Sequence, residues 1–175
     1  MKWLLAFGVL LLPATARAEV VSASAHGFEI SHSVAIVVPQ PATFAAFGDV
    51  QNWWDEDHTY SGDSANMSLS LTPGGCLCER LPDGGGIEHM RVTYVVPGER
   101  VVLTGSLGPL LYEATSGVMD VKVERIAGGA RLTMNYRVAG FANGGADTLA
   151  PLVDQVLGVQ MAGFRKYAAA IPRAR

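Results

Sequence analysis

The sequence predicts an α+β fold in which a curved antiparallel sheet of about six or seven strands packs around a long C-terminal helix. Several short stretches alternate apolar and polar residues, as half-buried strands do, and glycine- or proline-rich turns separate them. Apolar residues recur with a long helical period only near the C-terminus. Because the apolar face of such a sheet must be covered, the last helix is expected to cover it.

The first strand and a short helix are predicted near the N-terminus of the fold. Residues 28–38 begin as an alternating stretch and continue as an apolar run, which Pro39 ends. Pro41 fits the first turn of a short helix that reaches about Asp49. Residues 52–62 are then expected to form a loop.

The middle of the chain reads as an antiparallel meander. Strong turn signals such as Pro82-Asp83-Gly84-Gly85 separate stretches in which apolar and polar residues alternate. Because the connections are short, consecutive strands are expected to pair with each other. The predicted strands cover residues 66–71, 76–81, 87–96, 100–106, a segment around 119–124, and 130–138.

The final helix is predicted to begin near Asp147, which would act as its N-cap, with Pro151 still inside the first turn. Its apolar residues recur at helical spacing and predict a buried stripe. The stripe consists of Leu149, Leu152, Val153, Val156 and Phe164.

Residues 1–18 read as an export signal. Lys2 precedes an apolar run over residues 3–12, and Ala16-Arg17-Ala18 supplies small residues for cleavage after Ala18. The run is too short to span a bilayer, and no later segment is long and apolar enough to do so. Cleavage leaves one domain over residues 19–175, in the periplasm or secreted, with the net charge moving from −3 to about −5. An acidic chain of this kind argues against a nucleic-acid partner.

The two cysteines, Cys76 and Cys78, lie two residues apart on a predicted strand. On a regular strand their side chains share one face about 7 Å apart, near the outer limit for a disulfide, so a bridge would need a bulge or strain. Export would normally favour pairing. We favour two buried thiols that pack as small apolar groups over a bridge or a metal pair.

The order of elements and several local motifs resemble the START-like (SRPBCC) superfamily. The motifs are Trp53-Trp54 after the short helix, residues 73–79 (PGGCLCE) at a turn, the segment from Val92 to Gly98, and residues 105–109 (GSLGP). The chain looks most like the polyketide cyclase/dehydrase and Hsp90-ATPase-activator-homologue branch, with the difference that it carries an export signal.

This resemblance implies a helix-grip fold, in which the sheet wraps the C-terminal helix and leaves a deep apolar cavity. Members of the superfamily bind lipids, sterols, polyketides or plant hormones, and some catalyse cyclisation or dehydration in the same cavity. The fold by itself does not choose among these activities.

Aromatic and methionine side chains are the predicted ligand-binding residues. Two indoles after a helix could close a cavity mouth, although either could instead pack the short helix onto the sheet. Soft or amphipathic side chains suit the wall of a cavity that holds a variable ligand. The predicted set is Trp53, Trp54, Tyr60, Tyr112, Met119, Met134 and Tyr136.

Glu79, Glu88 and His89 are the candidate catalytic residues, because one hairpin brings these titratable side chains together. Strand alternation places Glu88 on the face of Met90 and Val92, which is expected to be the interior. The same alternation turns His89 toward solvent. Glu79 shares a face with Leu77 and Leu81, where a carboxylate should be either paired or functional.

No metal or cofactor is predicted. The run Asp55-Glu56-Asp57-His58 has suitable ligand types, but its spacing matches no established metal-binding loop, and a solvated loop is the simpler interpretation. Nucleophile-elbow and phosphate-loop motifs are also missing from the sequence.

Three functions follow from these observations. The first is the binding of an apolar or amphipathic small molecule, such as a lipid, sterol or polyketide-like compound, between sheet and helix. The second is a cyclase- or dehydratase-type enzyme that uses the same cavity. The third is an interaction module of the cell envelope, for which no protein partner can be named.

Overall fold

The computed structural model describes residues 17–172, with side chains from Glu19 onward. The predicted signal peptide therefore lies outside the described residues, except for Arg17 and Ala18. These two residues begin the first strand and pair with Ser33 and His32.

Eight antiparallel strands form one sheet, and a short and a long helix complete the fold. The strands lie in the order β1-β2-β8-β7-β6-β5-β4-β3 across the sheet. From β3 to β8 each strand pairs with its neighbour in sequence, which confirms the predicted meander. The elements are β1 Arg17–Ser24, β2 Gly27–Ile36, α1 Gln40–Gly48, β3 Met67–Leu69, β4 Cys76–Arg80, β5 Gly86–Val96, β6 Arg100–Gly105, β7 Ala114–Ile126, β8 Gly129–Phe141 and α2 Ala150–Ala169.

The structure confirms the α+β fold class, with one strand more than expected. The additional strand is β1, an edge strand that pairs along β2. Its residues from Val21 to Ser24 are exposed, so the segment has no alternating apolar pattern by which the sequence could identify it.

Helix α2 packs against one face of the sheet and forms the core with it. Leu157, Met161 and Phe164 are buried on the helix, and Phe164 lies 5.5 Å from the ring of Trp53. Burial of such apolar side chains is the main stabilising contribution to a fold of this kind. A polar contact also joins helix and sheet, because Nε2 of His32 on β2 lies 2.8 Å from Oδ1 of Asp154.

The N-terminal part of α2 differs from the prediction. The helix begins at Ala150 after Leu149, and Asp147 lies in the preceding 3₁₀ turn Ala146–Thr148, so Asp147 is not its N-cap. Pro151 does fall in the first turn, where a missing N–H costs nothing. No helix in the described part of the chain is long and apolar enough to cross a membrane.

The preference for free thiols is wrong. Cys76 and Cys78 form a disulfide, and both residues are only half-buried. Their Cα atoms are 5.4 Å apart, well inside the range that a disulfide requires. The sequence argument used the spacing of a regular strand, whereas β4 is locally contracted between the two residues.

The predicted faces of β5 are also wrong at Glu88 and His89. Leu77 pairs with Met90 and Cys78 pairs with Glu88, so His89 is an extra residue in a β-bulge. As a result His89 and Met90 are both buried, and Glu88 is exposed. A bulge shifts the alternation by one residue, and periodicity alone does not reveal it.

Candidate functional site

A cavity of about 520 Å³ lies between the N-terminal half of α2, the loop after α1 and the connection between β6 and β7. Most of its lining side chains are apolar, and a smaller polar group includes His89 and two tyrosines. The lining residues are Trp54, Asp57, His58, Thr59, Tyr60, His89, Leu107, Gly108, Pro109, Leu110, Tyr112, Glu113, Leu149, Leu152, Val153, Val156 and Leu157.

The helical wall of the cavity is the first half of the apolar stripe predicted on α2. Leu152 is 61% exposed, and Val153 and Val156 are half-buried, whereas Phe164 at the other end of the stripe is fully buried. The C-terminal half of α2 thus packs on the core, and the N-terminal half presents its apolar face to the cavity. Leaving such a surface unpacked costs free energy that a bound apolar molecule would recover.

Tyr136 supports the opposite wall from within the core. Its hydroxyl accepts a hydrogen bond of 3.3 Å from the backbone N–H of Leu107, which precedes the 3₁₀ turn Gly108–Tyr112. Burial raises the pKa of Tyr136 to about 12. Its ring occupies the space where a side chain at position 117 would stand, which explains why Gly117 fits there. Tyr136 therefore holds the turn in place and does not line the cavity.

Gln160 connects α2 to the loop that forms another wall of the cavity. Its side-chain oxygen accepts a 2.8 Å hydrogen bond from the backbone N–H of Asp55, and Gln160 is fully buried. Within the same loop, the indole N–H of Trp54 donates a hydrogen bond to the backbone carbonyl of His58. These contacts fix the segment that contributes Trp54 and residues 57–60 to the cavity lining.

A buried pair of Glu79 and His89 lies at the polar end of the cavity. Nε2 of His89 lies 3.0 Å from Oε2 of Glu79, and the two residues are 4% and 2% exposed. The other carboxylate oxygen of Glu79 accepts a hydrogen bond of 2.5 Å from the backbone N–H of Ser61. The carboxylate is therefore hydrogen-bonded at both oxygens.

The surroundings of Glu79 favour its ionised form. Burial alone would raise the pKa of Glu79, but hydrogen bonds from Ser61, from the backbone of Tyr60 and from His89 outweigh it and lower the pKa. An ionised carboxylate accepts hydrogen bonds only, so Nε2 of His89 carries the proton that it donates to Glu79. Nδ1 is buried and has no hydrogen-bond partner within the described chain, and it carries a free lone pair whenever the imidazole is neutral.

Tyr60 covers His89 at the cavity mouth, and Tyr112 lies beside Tyr60. The ring of Tyr60 lies 5.9 Å from the imidazole of His89 and 6.4 Å from the ring of Tyr112. Tyr60 is 40% exposed and Tyr112 is 76% exposed, so both rings also face solvent. The pKa of Tyr60 is raised by burial, by Tyr112 and by the charge of Glu79.

The predicted ligand-binding residues divide into two groups. The structure brings Trp54, Tyr60 and Tyr112 together around the cavity. By contrast, Trp53, Met119 and Met134 border a separate void of about 10 Å³ in the packed core, too small for any organic ligand. The deep interior that the resemblance implied is thus filled by side chains, and the open volume lies toward one end of α2.

Of the three candidate catalytic residues, two lie at the cavity and one lies on the surface. Glu79 and His89 form the buried pair, whereas Glu88 is exposed and forms an ion pair with Arg91 on the surface. Apart from Tyr112, the sequence did not identify the lining residues of the Gly108–Tyr112 turn. For the helical wall of the cavity, the available signal was the apolar stripe on α2. Its spacing is the same for a helix that packs on a sheet and for one that faces a cavity.

The polar loop after Trp54 is a hydrogen-bonded turn. Oδ1 of Asp55 accepts from the backbone N–H of Asp57 at 3.1 Å and lies 3.2 Å from Nδ1 of His58. In residues 17–172 the group with the spacing of metal ligands is Cys76, Cys78 and Glu88. Because both sulfur atoms are bonded to each other, they are not available as thiolate ligands.

Solved structures share this architecture over most of the chain. A putative uncharacterized protein from Rhizobium leguminosarum is 18% identical, with a TM-score of 0.56 over 89% of this chain and 98% of that one. A conserved protein of unknown function from Enterococcus faecalis is 9% identical, with a TM-score of 0.59 over 91% and 80% of the two chains. The di-domain ARO/CYC BexL of the BE-7585A biosynthetic pathway is 16% identical, with a TM-score of 0.56 over 85% of this chain and 52% of BexL.

The chain has a START-like helix-grip fold. At these identities the likeness concerns the START-like fold and not the activity. No protein-family sequence profile matches the chain, and no curated protein sequence does either.

Proposed function

We propose that this START-like protein binds an apolar or amphipathic small molecule, such as a lipid, sterol or polyketide-like compound, in the cavity beside α2. The observation that carries the proposal is the apolar face formed by Leu152, Val153 and Val156, which borders open volume where the rest of the helix packs on the core. An apolar wall that borders an open cavity is typical of a small-molecule site.

The size and lining of the cavity support the same function. Its volume of about 520 Å³ lies within the range of small-molecule sites. Such sites combine a mostly apolar wall with a few polar groups that orient the ligand, and His89 with Tyr60 supplies those groups here. BexL, which shares this fold, is an ARO/CYC protein of a biosynthetic pathway, and this is consistent with a small-molecule site in the fold.

A cavity-filling variant tests this proposal. Val156→Trp places an indole in the cavity, and Val159→Trp puts the same side chain on α2 at a position that does not line it. We expect saturable binding of a fluorescent sterol or lipid probe by the wild type and Val159→Trp, and at least tenfold weaker binding by Val156→Trp. Absence of saturable binding in all three proteins, or equal binding in all three, would overturn the proposal.

A second candidate function is acid–base catalysis on a ligand in the same cavity. It is favoured by the free lone pair on Nδ1 of His89, with Glu79 hydrogen-bonded to the other ring nitrogen. In the simplest step, Nδ1 takes a proton from a carbon next to a carbonyl group, and the electron pair of the C–H bond moves to the carbonyl oxygen as an enolate. The carboxylate of Glu79 stabilises the imidazolium that forms.

The matched variants for this second function are Glu79→Gln and Glu88→Gln. Turnover of a carbonyl substrate found by screening should fall about 100-fold in Glu79→Gln and stay unchanged in Glu88→Gln, whose carboxylate is on the surface. Equal turnover in both variants would exclude the Glu79–His89 pair from catalysis.

We also propose that the protein is exported. The signal-like sequence of residues 1–18 supports this, and the Cys76–Cys78 disulfide is typical of an oxidising compartment. Fractionation of cells that express the complete chain should place a product lacking residues 1–18 outside the cytoplasm. An uncleaved cytoplasmic product would contradict export.

A further inference from the structure

The cavity lining contains two carboxylates and two histidines, His58 and His89. Asp57 and Glu113 are the lining carboxylates, and no lysine or arginine occurs among the described lining residues. A third carboxylate, Glu79, lies directly behind the imidazole of His89 and is ionised. An anionic group that entered this cavity would lose hydration and lie near these carboxylates, with no lysine or arginine among the described lining residues to pair with it.

The polar end of the cavity offers a hydrogen-bond acceptor. Because Nε2 of His89 donates to Glu79, Nδ1 accepts a hydrogen bond whenever the ring is neutral. Nδ1 is buried and has no partner in the described chain, so its capacity to accept is unused. A buried polar atom without a partner is unfavourable, and a donor that reached it would remove that cost.

Tyr60 determines how a ligand group reaches this atom. Its ring covers the imidazole of His89 at a centroid distance of 5.9 Å, and it is partly exposed at the mouth beside Tyr112. Exposed side chains change rotamer rapidly, so the ring can move aside when a ligand enters. The space between Tyr60 and His89 then receives the polar end of the ligand, and the apolar face of α2 contacts the remainder.

From these observations we infer that the cavity selects uncharged amphipathic molecules whose polar end is a hydroxyl group donating to Nδ1 of His89, and that it excludes carboxylates and phosphates. This inference rests on the proposed small-molecule binding and names the ligand class. Alcohols and phenols share the required donor, so the polar group is defined by that hydrogen bond and not by the carbon skeleton.

Three probes of one skeleton test the inference: 1-pyrenemethanol, its methyl ether and 1-pyrenecarboxylate. The ether has no donor and the carboxylate is an anion, whereas the pyrene part is common to all three. We expect wild-type protein to bind the alcohol about fivefold more tightly than the ether. The carboxylate should bind at least tenfold more weakly than the ether at pH 7.

The outcomes separate the inference from the proposed function. Failure of all three probes to bind counts against the cavity as a binding site for molecules of this size. Equal affinity for alcohol and ether, or tightest binding of the carboxylate, overturns the inference and leaves small-molecule binding in place.

Variants identify the residues responsible. In Glu79→Leu/His89→Leu the whole buried pair becomes apolar, which avoids leaving an unpaired charge. This double variant should bind alcohol and ether equally, whereas the surface control Glu88→Gln should keep the fivefold difference. Asp57→Asn/Glu113→Gln should narrow the gap between carboxylate and ether. An unchanged preference for the alcohol in the double variant would overturn the role of His89.

A measurement on the wild type covers the case in which the double variant does not fold. With ¹⁵N-labelled histidine, the Nδ1 resonance of His89 should shift on addition of the alcohol, as expected for a nitrogen that gains a hydrogen bond. The ether should leave it nearly unchanged. Identical responses to the two probes would contradict the proposed hydrogen bond.

Discussion

The side chains of Glu79 and His89 are in contact inside the protein, although the two residues do not lie opposite each other on the paired strands β4 and β5. The register of β4 and β5 places Glu79 opposite Ile87, and His89 is the extra residue of the bulge that follows Glu88. The bulge turns the imidazole into the interior, where Nε2 lies 3.0 Å from the carboxylate. The polar end of the cavity therefore depends on one irregularity in an otherwise regular hairpin.

Glu79 should make stability depend on pH in the acid range. Its pKa is lower in the folded protein than in the unfolded chain, so its contribution is complete above the ordinary glutamate pKa and is lost as the pH falls through the lowered value. Glu79→Gln should lose about 2 kcal/mol of unfolding free energy at pH 7, because a neutral amide accepts weaker hydrogen bonds. Urea unfolding from pH 7 to pH 3 should give a flatter profile for this variant, and parallel profiles would contradict the assignment.

The Cys76–Cys78 disulfide should help to position His89. It contracts β4 beside Leu77, opposite the bulged residues of β5. Cys76→Ser/Cys78→Ser should cost only about 1.5 kcal/mol, because the closed loop is very short. Hydrogen exchange should nevertheless accelerate at residues 88–90, and reduction of the wild type should reproduce the effect. Unchanged exchange in both cases would show that the bulge forms without the disulfide.

Gly105 should be required for the bulge. Its φ is +148°, and a Cβ at this position would lie 2.7 Å from the carbonyl oxygen of His89 and 2.9 Å from Cα of Met90. Gly98 also has a positive φ, of +82°, but a Cβ there would contact nothing within 4 Å, so Gly98→Ala is the matched control.

We expect Gly98→Ala to cost about 1 kcal/mol and Gly105→Ala clearly more, about 3 kcal/mol, because backbone atoms must move in addition to the conformational strain. Thermal or urea unfolding of the two variants measures the difference. Equal losses of unfolding free energy would show that Gly105 is needed only for its positive φ, and not to make room for the backbone of His89 and Met90 on β5.

Two glycines on α2 should respond in opposite directions to alanine. A Cβ at Gly163 would lie 2.4 Å from the carbonyl oxygen of Trp53, whereas one at Gly158 would make an ordinary 3.4 Å contact with the ring of His32. Alanine favours the helix by up to about 1 kcal/mol, so Gly158→Ala should be neutral or stabilising. Gly163→Ala should destabilise by about 2 kcal/mol, since α2 must move away from Trp53. Stabilisation by both substitutions would contradict this close packing.

The sequence was sufficient for the meander from β3 to β8, because β7 and β8 alternate over most of their length and glycine- or proline-containing turns separate its strands. It did not predict that β2 pairs with β8. It was insufficient at β1, whose exposed residues carry no pattern. It also failed at β5, because the extra residue His89 reverses which side chains face the core. Such a bulge depends on the neighbouring strand, and periodicity within one strand does not encode it.

The candidate site was partly predictable for a related reason. The aromatic residues Trp54 and Tyr60 were identified from their chemistry and do line the cavity, but Trp53 is equally aromatic and packs in the core. The difference depends on the position of the loop, which Gln160 fixes through Asp55 from more than a hundred residues away. Contacts of that range do not appear in a local pattern.

Native mass spectrometry tests the central claim most directly. The protein, expressed as the complete chain and purified without detergent, is compared under native and denaturing conditions with its Val156→Trp variant. We predict that the native wild type carries an additional mass that is lost on denaturation, and that the variant lacks it. A wild type that shows the bare polypeptide mass, and still does so after incubation with an extract of apolar and amphipathic metabolites, would contradict the account.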